Sequence, residues 1–311
     1  MAVKTSFTPH DFAAILDQYT LGEFVSFKPF DQGADQTNLL LNTTQGQAVL
    51  RYYEKRSADY VKFEIEVLHY LAEHSYPSAA PFAKKDGEYF GIYKGKPFAL
   101  FEFMPGKHND NHENYLEVAE AIGKLHAITE GYQPSATAAR PAHDTAYVWS
   151  CAQQSAVKIP SKVESQARLS WLKQQLESVD LPDNLPKGVC HGDTNPSNFL
   201  YSNNKLSAVL DFDQATYTWL MYDLANVVYW WTWPDKGELS IEETKKLLTT
   251  YEKYRPLSDE EKHHLFDALK LVILTGMGWF MDNDEGYTNA QRKVELLNSM
   301  GRDGFYKAVC S

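Results

Sequence analysis

The sequence predicts an α+β chain in two lobes, a small lobe built on an antiparallel sheet with one main helix and a larger lobe that is mostly helical. Three observations carry this expectation. The chain has 311 residues, more than the roughly 100 to 200 of a typical domain. Strand-like alternation dominates its first hundred residues, and from Pro105 onward apolar residues recur at helical spacing instead. The expected division is 1–104 and 105–311.

Each element has its own warrant. Thr8 and Pro9 lead into a short helix. FVSFKPF, then TNLLLNTT and QAVLRYYE around a turn at Gly46, are alternating or rich in β-branched and aromatic residues, as paired strands are. In ADYVKFEIEVLHYLAEHS the period changes: Val61, Ile65, Leu68 and Ala72 fall on one helical face, and Pro77 ends the helix. EYFGIY and PFALFEFM are two further strands around Lys94-Gly95, and MPG marks the crossing into the second lobe. Helical spacing then runs through NYLEVAEAIGKLHAIT, SQARLSWLKQQLESV, IEETKKLLTTYEKY, EEKHHLFDALKLVILTGMGWFM and AQRKVELLNSMGRDGFYKAV. Between the second and third of these lie short apolar strands with polar ends, GVCHGDTNPSNFLY and LSAVLDFD. PSATAARPAHD, 134–144, is expected to be a flexible loop.

Composition narrows the function classes. Hydrophobic residues make up 43%, charged residues 23% and aromatic residues 14%, which is a globular balance with an aromatic excess. The net charge is −11 and no window gathers Lys and Arg into a stripe, so a nucleic-acid partner is not expected. Cys151, Cys190 and Cys310 are an odd number without metal-ligand spacing, which suits free thiols in a reducing compartment. The start has no apolar core behind a basic tip, and LVILTGMGWFM is too short to span a bilayer. A soluble cytoplasmic protein is expected, with no membrane partner.

The chemistry concentrates in HGDTNPSN, residues 191–198, and in Asp211-Phe212-Asp213 at the end of the strand LSAVL. Phosphoryl transfer needs a carboxylate to orient the acceptor hydroxyl and oxygen ligands to hold Mg2+ against the phosphates. Asp193 can be the first, and Asn198 and Asp211 the second. The protein-kinase signature H-R-D-x-x-x-x-N followed by D-F-G has the same Asp-to-Asn interval, with Gly192 here in place of Arg and Asp213 in place of Gly. Asp, Asn, Pro and Ser are also ordinary turn formers, but turn propensity does not require both Asn198 and the second acidic cluster. A metallohydrolase using His191 and Asp193 as ligands is a rival. The remaining histidines supply no matching pair, since His263 and His264 are adjacent and point apart on a helix.

Other residues would complete a nucleotide site. Gly33, at a turn between strands, could cover phosphates. Arg51 stands on a strand where it could contact phosphate bidentately, oriented by Glu64 of the following helix, with Glu66 on another face as the fallback. Glu102, Phe103 and Met104 end the last strand of the first lobe, where backbone groups could meet a purine edge. His126 reads as a hydrogen-bonded structural histidine. Asp223 reads either as an N-cap for LANVVYWW or as a substrate-binding residue. Asp213 and Trp230 are further candidates for the acceptor, and Trp219, Trp230, Trp231 and Trp233 together could hold a quaternary ammonium or simply pack between helices.

HGDTNPSN, VLDFDQA and YDLAN in this order, with VLRYY, the Glu64 helix, FEFMPG and GKLHAIT upstream, resemble the aminoglycoside phosphotransferase and choline kinase superfamily. The resemblance spans roughly residues 30–232. It implies a two-lobed protein-kinase-like fold that uses ATP and Mg2+ to phosphorylate a small-molecule hydroxyl. It further implies Asp193 as catalytic base, Asn198 and Asp211 as magnesium ligands, Arg51 and Glu64 as the phosphate-orienting pair, and FEFM as the hinge. The GADQTNLLLNTTQGQAVLRYYE opening, the stretch from HYLAEHS to FEFMPGK and the LPKGVCHGD approach are most similar to the bacterial homoserine kinases of this superfamily, which implies homoserine as acceptor. Choline or ethanolamine and aminoglycosides are the alternative acceptors, and a kinase-like nucleotide-binding module without turnover is the alternative of another class.

Overall fold

Where each apolar face finds a partner decides the fold. In the computed structural model, which describes residues 5–30, 36–109 and 112–310, the chain begins α1 (Pro9–Leu16), β1 (Phe24–Pro29), β2 (Thr37–Thr43), β3 (Gly46–Tyr52), α2 (Ala58–Glu73), β4 (Gly91–Tyr93), β5 (Lys96–Glu102), β6 (Lys107–His108) and α3 (Tyr115–Ile128). It continues α4 (Thr145–Ala156), α5 (Lys162–Leu176), β7 (Lys187–Cys190), β8 (Phe199–Ser202), β9 (Lys205–Val209), β10 (Thr216–Trp219), α6 (Leu220–Trp231), α7 (Ile241–Tyr251), α8 (Asp259–Trp279) and α9 (Asp284–Cys310). These form two compact units. The first contains Met1–Lys107, Pro134–Arg140 and Leu200–Asp213, and the second contains His108–Gln133, Pro141–Phe199 and Gln214–Ser311. Two segments beyond residue 105 thus belong with the first unit, a return that no local pattern announces.

The first unit is built on a five-stranded sheet in the order β1-β2-β3-β5-β4, antiparallel throughout. Tyr93 pairs with Lys96 across a two-residue turn. Lys94 and Gly95 both have positive φ there, 50° and 80°, the mirror-image turn whose twist matches that of the flanking strands. Thr8 opens α1 with a capping box, its side chain taking the Asp11 N–H while Asp11 takes the Thr8 N–H, and Pro9 sits where its missing N–H costs nothing. The helix lays Phe12 against Phe7 and Phe24, with ring centroids 5.6 and 4.7 Å away. Around it Ile15, Leu41, Leu50, Phe98 and Leu100 close the core. Ser57 caps α2, which buries Val61, Ile65 and Leu68 as its period predicts, and also Glu64. The chain leaves the helix before Pro77, through Ser75 at φ 56°.

In the second unit β7 and β10 form an antiparallel pair; β7 delivers the chain into the HGD segment and β10 leads into α6. α6 is buried along nearly its whole length and packs on α3 and α8. The apolar run around LVILTGMGWFM is the buried half of α8, and no helix of the described residues is long and apolar enough to cross a membrane. α4 is not expected from the sequence. Its start is fixed by Asp144, which accepts the Tyr147 N–H at 2.8 Å, and its small buried residues, Ala152, Ser155 and Ala156, give a faint period. The 134–144 segment, expected to be flexible, is instead packed: it makes a 3-10 turn and buries Arg140 and His143.

Truncating Phe12 to Ala should destabilise the chain by about 3–5 kcal/mol, read as a shift of the urea midpoint. A loss below about 1 kcal/mol would place α1 outside the cooperative core.

Candidate active site

The HGD segment is shaped by one buried carboxylate. Asp223, in the first turn of α6 and fully buried, accepts the backbone N–H of His191 at 2.5 Å and that of Gly192 at 2.8 Å. Gly192 has φ 80°, and a Cβ there would lie 2.3 Å from the carbonyl oxygen of Gln214, so only glycine fits. This is the physical reason that glycine stands where the protein-kinase signature has arginine. One helical turn on from Asp223, Asn226 Oδ1 accepts from the Thr194 N–H and hydroxyl. Trp231 Nε1 donates to the Thr194 carbonyl at 2.8 Å. Asp223 is therefore not an N-cap, since α6 begins at Leu220 with Trp219 before it. It is also not exposed to meet an acceptor.

The loop so held presents Asp193 with both carboxylate oxygens engaged. Asn195 Nδ2 donates to Oδ1 at 2.8 Å, and Asn198 Nδ2 donates to Oδ2 at 3.1 Å and to the Asp193 carbonyl at 2.8 Å. Asn198 thereby commits its N–H groups to Asp193, so its Oδ1 is the atom left for another ligand. His191 is buried, and its Nδ1 takes the Asp193 N–H at 3.3 Å. That geometry removes the pairing of His191 with Asp193 as metal ligands.

Behind Asp223 a buried polar chain continues. His126 Nε2 lies 3.3 Å from Asp223 Oδ2, and its Nδ1 lies 2.7 Å from the Tyr251 hydroxyl. A carboxylate only accepts, so Nε2 carries the proton and Nδ1 accepts from Tyr251. Burial lowers the His126 pKa against the pull of Asp223. Burial raises that of Asp223, but His126, His191 and the Gly192 N–H outweigh it and hold the carboxyl below its usual range. Cys190 is next to this group, and burial pushes its thiol well up, which makes it unreactive.

The first unit gathers the other charged candidates. Arg51 Nη1 is 3.3 Å from Glu64 Oε1, and its Nη2 is 2.7 Å from Asp211 Oδ1 and 3.9 Å from Asp213 Oδ1. Burial works against the Arg51 charge, but Glu64 and Asp211 prevail and push its pKa higher still. Burial raises the Glu64 pKa, against the pull of Arg51 and Arg140. Glu66 takes no part in this pair; it accepts the Ser135 N–H at 2.7 Å. Asp211 is half exposed and sits at φ 61°. Asp213 is buried, and its carboxylate is bound by Arg56 and reached by Gln36 Nε2 at 3.4 Å. The carboxylate of Asp213, a candidate for the acceptor, is thus committed to protein partners.

The remaining candidates divide. Gly33 lies outside the described residues. Glu102 closes β5, donating its N–H to the Ala80 carbonyl at 2.9 Å, and Phe103 and Met104 follow outside the sheet, with Phe103 exposed. The tryptophans do not form a cage. Trp219, Trp231 and Trp233 are buried, with the Trp219 and Trp231 indoles bonded to the Pro182 and Thr194 carbonyls. Trp230 is half buried and edge-on to Tyr229. Arg56, Arg140, Asn195 and Asn226 were not singled out from sequence for these contacts. The spacing of Asp223 and Asn226, i and i+3 on an apolar helix, was the available signal for the last.

A carboxylate held on a glycine-dependent loop, in an α+β chain whose other unit couples an arginine to two acidic side chains, defines a phosphotransferase of the small-molecule type. The pattern of the phosphotransferase enzyme family matches residues 26–257, and the chain belongs to that family. It is 30% identical to a homoserine kinase of Rhizobium meliloti (strain 1021), over all of this chain and 96% of that one. It is 33% identical to a homoserine kinase of Caulobacter sp. (strain K31), over 88% of this chain and 84% of that one. Among solved structures it is similar to a microcompartment-associated aminopropanol kinase, at TM-score 0.66 and 16% identity over 94% of each chain. It is also similar to the amicoumacin kinase hAmiN, solved with AMP-PNP, Ca2+ and Ami, at TM-score 0.65 and 19% identity over 93% of this chain and 92% of that one. At such identities the likeness is one of fold, the α+β protein-kinase-like fold that the sequence predicts.

The buried histidine gives the second unit a pH dependence with a definite sign. The unfolded chain takes up a proton at His126 near the ordinary value of 6.5, whereas the folded chain resists it. Stability from this group is complete above that pH and is lost as the pH falls below it. Cooling of the thermal midpoint between about pH 7.5 and about pH 5.5 should therefore be smaller in His126→Gln than in the parent. Equal slopes in the two proteins would show that His126 is not the titrating group.

Proposed function

We propose that the chain is a homoserine kinase that transfers the γ-phosphoryl group of ATP to the side-chain hydroxyl of homoserine, with magnesium, in the cytoplasm. The observation that carries the acceptor is the likeness to homoserine kinases along essentially the whole chain. The chemistry rests on the residues already placed. Asp193 accepts a hydrogen bond from the incoming hydroxyl and aims its oxygen at phosphorus. With both carboxylate oxygens tethered by Asn195 and Asn198, its orientation is set before the acceptor arrives, which is where positioning lowers a barrier. Arg51 contacts phosphate oxygens, and Glu64 fixes its guanidinium. Backbone groups at Glu102, Phe103 and Met104 meet the purine.

Magnesium suits the donors present. Asn198 Oδ1 and the half-exposed Asp211 carboxylate are hard oxygen ligands of the kind Mg2+ takes. When bound, the ion would neutralise phosphate charge as the bond to the leaving oxygen breaks. Choline is a weaker reading, because three of the four clustered tryptophans are buried in the core and a quaternary ammonium needs open aromatic faces.

ADP release from MgATP should be stimulated by homoserine and not by choline, ethanolamine or an aminoglycoside. Asp193→Ala should lower that turnover by at least about a thousandfold while changing ATP affinity less than about threefold. Stimulation by another acceptor alone would replace the substrate. Nucleotide binding without ADP formation on any acceptor would make the chain a binding module, and full turnover in Asp193→Ala would remove the assigned base.

A further inference from the structure

We propose that Arg140 is a positioning residue that fixes the Asp211–Asp213 turn in the conformation in which Asp211 can hold a metal; the proposal rests on the reading of Asp211 as a magnesium ligand. Asp211 sits at φ 61°, a left-handed backbone that residues with a Cβ avoid unless their surroundings impose it. The surroundings are visible two residues on, at Asp213. Its carboxylate is bound by Arg56, with Nε at 3.2 Å. Its backbone carbonyl accepts from Arg140 Nη1 and, at 2.9 Å, from the Tyr60 hydroxyl.

Arg140 is placed to do this and little else. It is 6% exposed, and its guanidinium lies over the Tyr60 ring at 3.6 Å and near that of Phe63 at 5.0 Å. Nε and Nη2 donate to the Tyr60 carbonyl at 3.1 and 2.8 Å, while Nη2 is 3.9 Å from Glu64 Oε2. One planar fork thus ties α2 to the turn and places a second positive charge beside the carboxylate that orients Arg51. Burying a guanidinium is costly unless its N–H groups and charge are answered, and here both are. The segment that carries it is fastened to the same helix at its other end, where Glu66 accepts the Ser135 N–H at 2.7 Å and its hydroxyl at 2.5 Å. A lysine ammonium could not lie flat on Tyr60 and reach both carbonyls.

The test is the affinity of the full-length chain for ADP, measured by calorimetry with excess Mg2+ and again with EDTA. The metal-dependent gain in affinity should fall about tenfold in Arg140→Met. Arg140→Lys, which keeps charge and length and decides the matter if the Met variant does not fold, should move in the same direction. In Arg140→Lys, which keeps a positive charge beside Glu64, metal-free ADP affinity should stay within about twofold. A full metal-dependent gain in Arg140→Lys overturns the proposal, as does an equal loss in both buffers, which would mark general packing. Asp211→Asn separates the two readings. If it keeps the gain, or if the parent shows none, the magnesium assignment fails; if it loses the gain while Arg140→Lys keeps it, only the role of Arg140 fails.

Discussion

The carboxylate of Asp223 is the contact on which the 191–198 loop depends. Two consecutive backbone N–H groups, those of His191 and Gly192, point into the interior where water cannot reach them, and a single side chain accepts both. Removing that acceptor would strand two donors at once, at about 1–3 kcal/mol each. It would also strip His126 of its partner. A charge in so dry a place survives because both of its oxygens accept hydrogen bonds, and the chain of hydroxyl and imidazole behind it holds the carboxylate in one orientation. The rigidity of α6 is thereby passed to the loop through Asp223, Asn226 and Trp231, and the loop passes it to Asp193.

The first unit solves a different problem, that of keeping opposite charges close without letting them collapse into one pair. Glu64 has guanidinium groups of Arg51 and Arg140 on its two oxygens, and Asp213 has Arg56. Neither acidic group competes fully for Arg51, which stays in reach of the half-exposed Asp211. The arrangement keeps arginine and carboxylate close without either being satisfied by one partner alone.

Much of this was legible in the sequence, and the remainder was hidden for identifiable reasons. Period and turn chemistry located α2, the β4–β5 hairpin and the long helices, because those signals are local. The interval from Asp193 to Asn198 and the recurrence of acid at Asp211 pointed to phosphoryl transfer because turn formation alone does not demand them. Pairing of Arg51 with Glu64 rather than Glu66 followed from helical faces. Arg140 was hidden because a sequence reading assigns a charged residue among Pro, Ala and Ser to solvent, whereas its burial depends on an aromatic ring 80 positions away. Asp223 was read as a cap or a substrate contact for the same reason: nothing local tells a carboxylate at the start of a helix that its partners come from a loop. The tryptophan cluster shows the converse: residues clustered in sequence go to separate partners, the packing alternative of the two that the sequence left open.

The burial of α6 has a consequence for how relatives of this chain diverge. Asp223, Asn226 and Trp231 of this helix all hold one loop, and any exchange at them is felt at Asp193 before it could alter selectivity. Diversification of acceptor must then be carried by other side chains, while the buried apolar residues of α6 drift only where they can be exchanged for others of like volume.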